Sequence, residues 1–211
     1  MKFRHFFLAL SCACLLAGCE KAPVQTSYIT PDVVVAVAPF TQPEQTADLL
    51  SGYIPEDQAP ISAEVLARLD ELFRAKLSTD SHRYLLLSQA DISGDLTRDT
   101  RGRRSALMTW AEHARTAGAD MIVVPHIISY QERVGGEAGV VTPAAVNEDF
   151  YLINAGEPAV LVQRVHFAEE QQALSSNLAK IGLFLRRGGK WITADQLAAE
   201  GMDKAVEELG L

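Results

Sequence analysis

Cysteine is scarce in this 211-residue sequence, and none follows Cys19; the other two are Cys12 and Cys14. A disulfide framework is therefore excluded for everything beyond the first nineteen residues. Positive charge is also in short supply. Nineteen Lys and Arg stand against 27 Asp and Glu, for a net charge of −8. That balance argues against nucleic acid or an anionic membrane surface as a partner, because both require a basic face. No apolar run reaches the roughly twenty residues of a spanning helix. The motifs GxSxG, SxxK, HExxH and the P-loop are all missing, so the common signatures of hydrolases, metalloproteases and nucleotide enzymes are not there. The reading is of a non-enzyme with no cofactor. Hydrophobic residues at 48% and charged residues at 22% place the chain among globular proteins and not disordered ones.

What is present is concentrated at the start. Lys2, Arg4 and His5 precede an apolar run from Phe6 to Ala17, interrupted only by Ser11. A basic start, a short apolar stretch and small residues after it describe an export signal. Its end, Leu16-Ala17-Gly18-Cys19, resembles the lipobox of bacterial lipoproteins, in which the chain is cut before the cysteine and the thiol takes a diacylglycerol. On that reading Leu16, Ala17 and Gly18 are the signal-peptidase recognition residues and Cys19 is the lipidation site. Residues 1–18 are then the signal peptide, and residues 19–32, rich in Pro, Gln, Thr and Ser, are the lipidated cysteine and its tether. Loss of Lys2 and Arg4 lowers the net charge to −10. Several acyl chains suffice for stable membrane attachment. Glu20 stands where an Asp would resemble an inner-membrane retention signal, so the expected anchor is the outer membrane, facing the periplasm.

Residues 33–211 read as a single α/β domain, a mixed sheet with parallel βαβ units followed by an antiparallel hairpin and C-terminal helices. Val33 to Phe40 is apolar on both alternating faces, as a central strand covered on both sides would be. The polar stretch from Thr41 to Pro60 is long enough to be functional or mobile. Ser62 offers an N-cap, and Val65, Leu66, Leu69, Leu72, Phe73 and Leu77 mark one helical face. A second strand follows from Arg83 to Ser88. A helix through Leu107, Trp110, Ala111, Ala114 and Ala117 ends at Gly118, and Met121 to Glu132 is the third strand. Two strand–helix–strand units in succession predict parallel pairing with right-handed crossovers. Beyond a Gly-rich loop at Gly135, Gly136 and Gly139, the hairpin is expected at Asp149–Asn154 and Ala159–Ala168. Leu174, Leu178, Ile181 and Leu185 predict a helix, and Thr193 with Gln196 forms a capping box for the last one.

Four histidines follow the signal, His82, His113, His126 and His166, and no pair is spaced i, i+3 or i, i+4, so no local metal site is implied. His126 shares an apolar strand face with Ile122, Val124, Ile128 and Tyr130. A core or interface histidine is the first reading there. His166 is placed to approach Asp149 or Glu148 across the hairpin, which keeps a histidine–carboxylate hydrolase as the least favoured alternative. Pro125 inside the third strand cannot donate to a ladder, so a bulge or an exposed edge is expected there, and an exposed edge would invite strand addition by a partner. Tyr53, Tyr130 and Trp191 are the candidate partner-binding aromatics; for Trp191 the competing role is to anchor the final helix to the core.

The order of elements carries a resemblance. Val33-Val34-Val35-Ala36-Val37-Ala38-Pro39-Phe40, a helix, Arg83-Tyr84-Leu85-Leu86-Leu87, and then Ala117-Gly118-Ala119-Asp120-Met121-Ile122-Val123-Val124 resemble envelope lipoproteins of the CsgG, LpoB and TolB amino-terminal-domain group. Ile128-Ser129-Tyr130-Gln131-Glu132 with Gly135-Gly136, and the hairpin from Phe150 to Phe167, look similar as well. The resemblance implies a non-enzymatic accessory protein of envelope assembly or secretion that works by contact with other envelope proteins. A subunit of an oligomeric outer-membrane export apparatus is the alternative, which leaves homo-oligomerisation open. A pore is disfavoured, because the stretch from Val134 to Glu148 is too short for two membrane strands of about nine to eleven residues each.

Overall fold

The computed structural model describes residues 29–30, 32–77, 82–94, 96–99, 101–172 and 181–211. The signal, the lipobox with Cys19, most of the tether, and Leu174 and Leu178 lie outside the described residues. Among the described residues seven strands follow in order: β1 (Val34–Val37), β2 (Arg83–Leu86), β3 (Met121–Gln131), β4 (Val134–Gly136), β5 (Gly139–Thr142), β6 (Ala145–Asn154) and β7 (Val160–Glu170). The helices are α1 (Ala63–Arg74), α2 (Ala106–Ala117), α3 (Ile181–Arg186) and α4 (Ala194–Leu209). Five strands form one sheet in the order β2-β1-β3-β6-β7. β1 pairs in parallel with both β2 and β3, and β6 runs antiparallel between β3 and β7. This is the expected mixed α/β domain.

The alternation of the strands sorts the core into two layers. Val35, Val37, Val123, Phe150, Leu152 and Val165 point to the face covered by α1 and α4, where Leu69, Phe73, Leu197, Met202 and Leu209 meet them. The rings of Phe40, Phe73 and Phe150 pack with centroids 5.3–6.0 Å apart at its centre. Ala36, Ile122, Val124, Tyr151 and Ile153 point to the other face, against Trp110, Ala111 and Ala114 of α2. The all-apolar pattern of the first strand is thus explained by burial on both sides. With α1 and α2 on opposite faces, the two crossovers that bracket β1 are wound as in an open doubly wound sheet.

The helix ends follow the sequence signals. Ser62 and Ser105 accept from Val65 N and Met108 N, Gly118 is left-handed at φ 79°, and the box of Thr193 with Gln196 is formed in both directions.

Two expectations are corrected and a third is narrowed to one of its alternatives. The stretch after β3 is not a plain Gly-rich loop but the β4–β5 hairpin, and β6 begins at Ala145, four residues before the expected strand start. Gly135 makes the hairpin possible: its φ is 129°, and a Cβ would lie 2.6 Å from the Gly139 carbonyl oxygen. Pro125 is not on an edge. It is paired with Phe150 inside the unbroken part of the β3–β6 ladder, in the middle strand of the sheet. Its missing donor faces the end of β1, where Ala38 N bonds Val123 O and Thr41 N bonds Pro125 O. Three steps along one chain therefore match two along the other, and the extra residue of this bulge sits beside Pro39.

The long stretch from Thr41 to Pro60 is tied down along its length. Thr41 bridges to His126. Gln42 accepts from Ile61 N at 2.8 Å and donates to Ala59 O at 2.8 Å. Asp48 Oδ2 accepts from Gln45 N at 2.9 Å, closing a short 3-10 turn over Thr46–Asp48. Gln58 Nε2 donates to Ile128 O at 2.9 Å.

Candidate functional site

The register of the sheet lines up three polar side chains on the α2 face. His126 of β3 is opposite Asp149 of β6, and Asp149 is opposite His166 of β7. One step along, Tyr151 is opposite Arg164. Asp149 is only 3% exposed and is the hub. Arg164 grips it with two bonds, Nε to Oδ1 at 2.8 Å and Nη2 to Oδ2 at 3.0 Å. His166 Nδ1 lies 2.9 Å from Oδ1. A carboxylate only accepts, so this contact is made with the proton on Nδ1. The Tyr151 hydroxyl shares its proton between Ser51 O at 3.0 Å and Asp149 Oδ2 at 3.2 Å. Arg164 Nη1 also meets Ser51 Oγ at 3.3 Å. Gly52, at φ 90°, lets the loop pass over the guanidinium. The expected approach of His166 to a carboxylate is found, with Asp149 as the partner and not Glu148.

This row does not assemble a nucleophile. Among the described residues no hydroxyl or thiol hydrogen-bonds to either histidine of the row. The carboxylate that would orient a base is already matched by a guanidinium, which is held more firmly charged by it. The geometry is that of a clamp fastening the Thr41–Pro60 stretch to β6 and β7.

His126, 1% exposed, behaves differently. Its ring meets Tyr151 at 5.3 Å and Trp110 at 6.3 Å between centroids, and its Nδ1 is buried without a partner. Burial holds its pKa down at about 4, against the opposing pull of Asp149 and Asp48. Beside it lies a cavity of about 160 Å³ lined by Pro43, Asp48, Ile92, Leu96, Trp110 and His113, among others.

On the opposite face, Glu148 is buried beneath α4 with neither carboxyl oxygen hydrogen-bonded. Burial, reinforced by the neighbouring Asp149 charge, pushes its pKa well up and so favours the protonated form. These two groups give stability opposite pH slopes. Below about pH 6.5 the unfolded chain takes up a proton that His126 in the fold refuses until about pH 4. Stability therefore falls across that window as pH drops, by about 3 kcal/mol in all. Above about pH 4.5 the unfolded chain releases a proton that Glu148 in the fold retains, so stability falls as pH rises. In denaturant unfolding from pH 4 to 8, His126→Leu is expected to remove the acid-side loss, and Glu148→Gln the alkaline-side loss. A His126→Leu curve parallel to that of the parent would contradict this assignment.

The three candidate aromatics are not brought together into one surface. Tyr53 is 76% exposed on the long loop. Tyr130 is turned inward: its hydroxyl donates to Asp195 Oδ1 at 2.7 Å and accepts from Arg68 at 3.3 Å, joining β3 to α1 and α4. Trp191 lies just before α4, where its backbone N–H donates to Glu137 O and its backbone carbonyl accepts from Arg133, stitching the β4–β5 hairpin to the helix entry. Residues that sequence reasoning passed over are Arg164, Tyr151 and Ser51. The register of β6 on β7, invisible in composition, brings Arg164 to Asp149 and Tyr151, and the Thr41–Pro60 stretch brings Ser51 over them.

No protein-family model matches the chain, and no curated protein matches it. Solved structures similar to it include the PelC dodecamer from Paraburkholderia phytofirmans, at 11% identity and TM-score 0.47, over 87% of this chain and 90% of that one. Lipoprotein GNA1162 from Neisseria meningitidis is similar at 12% identity and TM-score 0.41, over 74% of this chain and 95% of that one. From the group named in the sequence analysis, the LpoB C-terminal domain from Salmonella enterica is similar at 17% identity and TM-score 0.35, over 70% and 89%.

Proposed function

We propose that this chain is an acyl-anchored accessory protein of the cell envelope, held at the outer membrane through Cys19, facing the periplasm, and acting through contacts with envelope proteins and not by catalysis. The observation that carries the non-catalytic part is the closed polar row: Asp149 is saturated by Arg164, His166 and Tyr151, and its task is to fasten a loop. The lipobox supports the anchor. The surface supports contact, since β2 and β7 end the sheet with Leu86 and Val160 half exposed, and the β4–β5 hairpin presents Val141 at 87% exposure. Of the three candidate aromatics, Tyr53 is the one this reading retains for partner contact; Tyr130 and Trp191 position α4 and the hairpin. Cys19→Ala is expected to abolish metabolic acyl labelling and to move the protein from the membrane to the soluble fraction. Undiminished labelling of the variant would overturn the proposal.

A further inference from the structure

The cavity beside His126 stands where the winding of the sheet opens one. The chain leaving β1 passes to α1 on one face, and the chain leaving β2 passes to α2 on the other. In open α/β sheets, ligands bind in the crevice outside the carboxyl ends of strands at such a divergence. The lining follows that plan: Thr41, Gln42, Pro43 and Asp48 come from the segment after β1, Ile92, Gly94 and Leu96 from the segment after β2, and Thr109, Trp110 and His113 from α2. At about 160 Å³ it matches in size an apolar cavity of about 150 Å³ known to hold benzene.

Several of its polar groups already have partners. Thr109 Oγ1 accepts from Thr97 N at 2.8 Å and donates to Ser105 O at 2.9 Å. Asp48 Oδ2 is taken by Gln45 N and Glu44 N. His113 is engaged with the Asp91 backbone. The buried His126 imidazole lines the cavity with Nδ1 unpartnered. Leaving such a group unmet costs free energy that a well-placed ligand returns. Asp48 and Asp149 act on this ring, so an anion is repelled, and the apolar walls of Ile92, Leu96 and Trp110 leave a cation poorly solvated.

We propose that this crevice binds a small neutral aromatic group bearing one hydroxyl, a phenol, packed against Trp110 and hydrogen-bonded to His126. A hydroxyl both donates and accepts, so it completes either tautomer of the ring. A free phenolic compound and a tyrosine side chain of a partner share this chemistry.

Ligand-observed magnetic resonance on the full chain in detergent tests it, with p-cresol, toluene and N-acetyl-tyrosinamide as probes. p-Cresol is expected to bind saturably with a dissociation constant of about 1 mM or tighter, and toluene at least about tenfold more weakly, the value of one good hydrogen bond. In His126→Leu that preference should shrink below about twofold, the apolar walls being unchanged. Leu96→Trp, which fills the crevice from its rim and leaves His126 in place, should abolish binding of both; it serves as well if His126→Leu fails to fold. Binding of N-acetyl-tyrosinamide alongside p-cresol supports a tyrosine as the source, and binding of p-cresol alone supports a free phenolic compound. Non-saturable p-cresol, equal affinity for toluene, or a preference retained in His126→Leu would overturn the proposal.

Discussion

Asp149→Ala is expected to destabilise the fold by about 2–4 kcal/mol. Breaking a buried ion pair by removing one partner typically costs about 3–5 kcal/mol, because the other charge is left uncompensated. Here water relieves part of that penalty, since the Arg164 side chain is 32% exposed and His166 is 48% exposed. The Tyr151 hydroxyl keeps Ser51 O but loses the carboxylate. The effect should be local before it is global. Without the hub, Ser51 and Gly52 lose their hold on β6 and β7, and amide exchange across Thr41–Pro60 should rise more than across β1 or α4. Asp149→Asn keeps the shape and one acceptor, and should cost about half as much. Urea unfolding checks the magnitude. A loss below about 1 kcal/mol would mean that the clamp is no stronger than an ordinary surface pair.

Gly201→Ala should be nearly as damaging, although it exchanges a poor helix former for the best one. In the interior of an exposed helix that substitution gains about 1 kcal/mol. Here the new Cβ would lie 1.8 Å from Glu148 Oε1 and 2.7 Å from the Phe167 ring. Glu148 is fully buried, so α4 must shift from β6 and β7 or the carboxyl must leave its place. Overpacking of this kind costs about 1–3 kcal/mol, and the helix-propensity gain is smaller than the upper part of that range. Thermal unfolding of Gly201→Ala, Glu148→Ala and the double variant separates the causes. The double variant should be more stable than the sum of the single losses predicts, because truncating Glu148 makes room for the methyl group. Strict additivity, or a stabilised Gly201→Ala, would show that the contact is not limiting.

Most of the architecture is legible in the sequence because burial on two faces leaves a plain mark. Val33 to Phe40 has no polar side, and Ser62, Gly118 and Thr193 with Gln196 announce the helix ends through local chemistry. The beginning of β6 is not legible for the opposite reason. Asn147 and Glu148 read as the polar end of a loop before a strand starting at Asp149, yet Glu148 and Asp149 are both buried, one unpaired with its pKa pushed up and the other matched by groups fifteen and more residues away. No local pattern encodes such compensation. Pro125 announced a bulge or an edge without saying which, for a related reason: its missing donor is absorbed by a bulge opposite, beside Pro39, a feature belonging to two strands at once. Of the site, the approach of His166 to a carboxylate was readable from alternation along a hairpin. The orphaned nitrogen of His126 was not, because it depends on what the segments after β1 and β2 leave unfilled.

The parallel strands also give the domain a direction. β1, β2 and β3 run the same way, and the chain enters β1 where the Asp120 carboxylate holds Val34 N at 2.9 Å. The crevice and the β4–β5 hairpin lie toward the opposite ends of these strands. β3 alone, with 11 residues, spans roughly 35 Å. The crevice therefore sits at the pole of the sheet opposite the one at which the chain enters β1. A partner that grips the edges of the sheet at β2 or β7 and a ligand that enters the crevice would thus occupy separate regions of the surface.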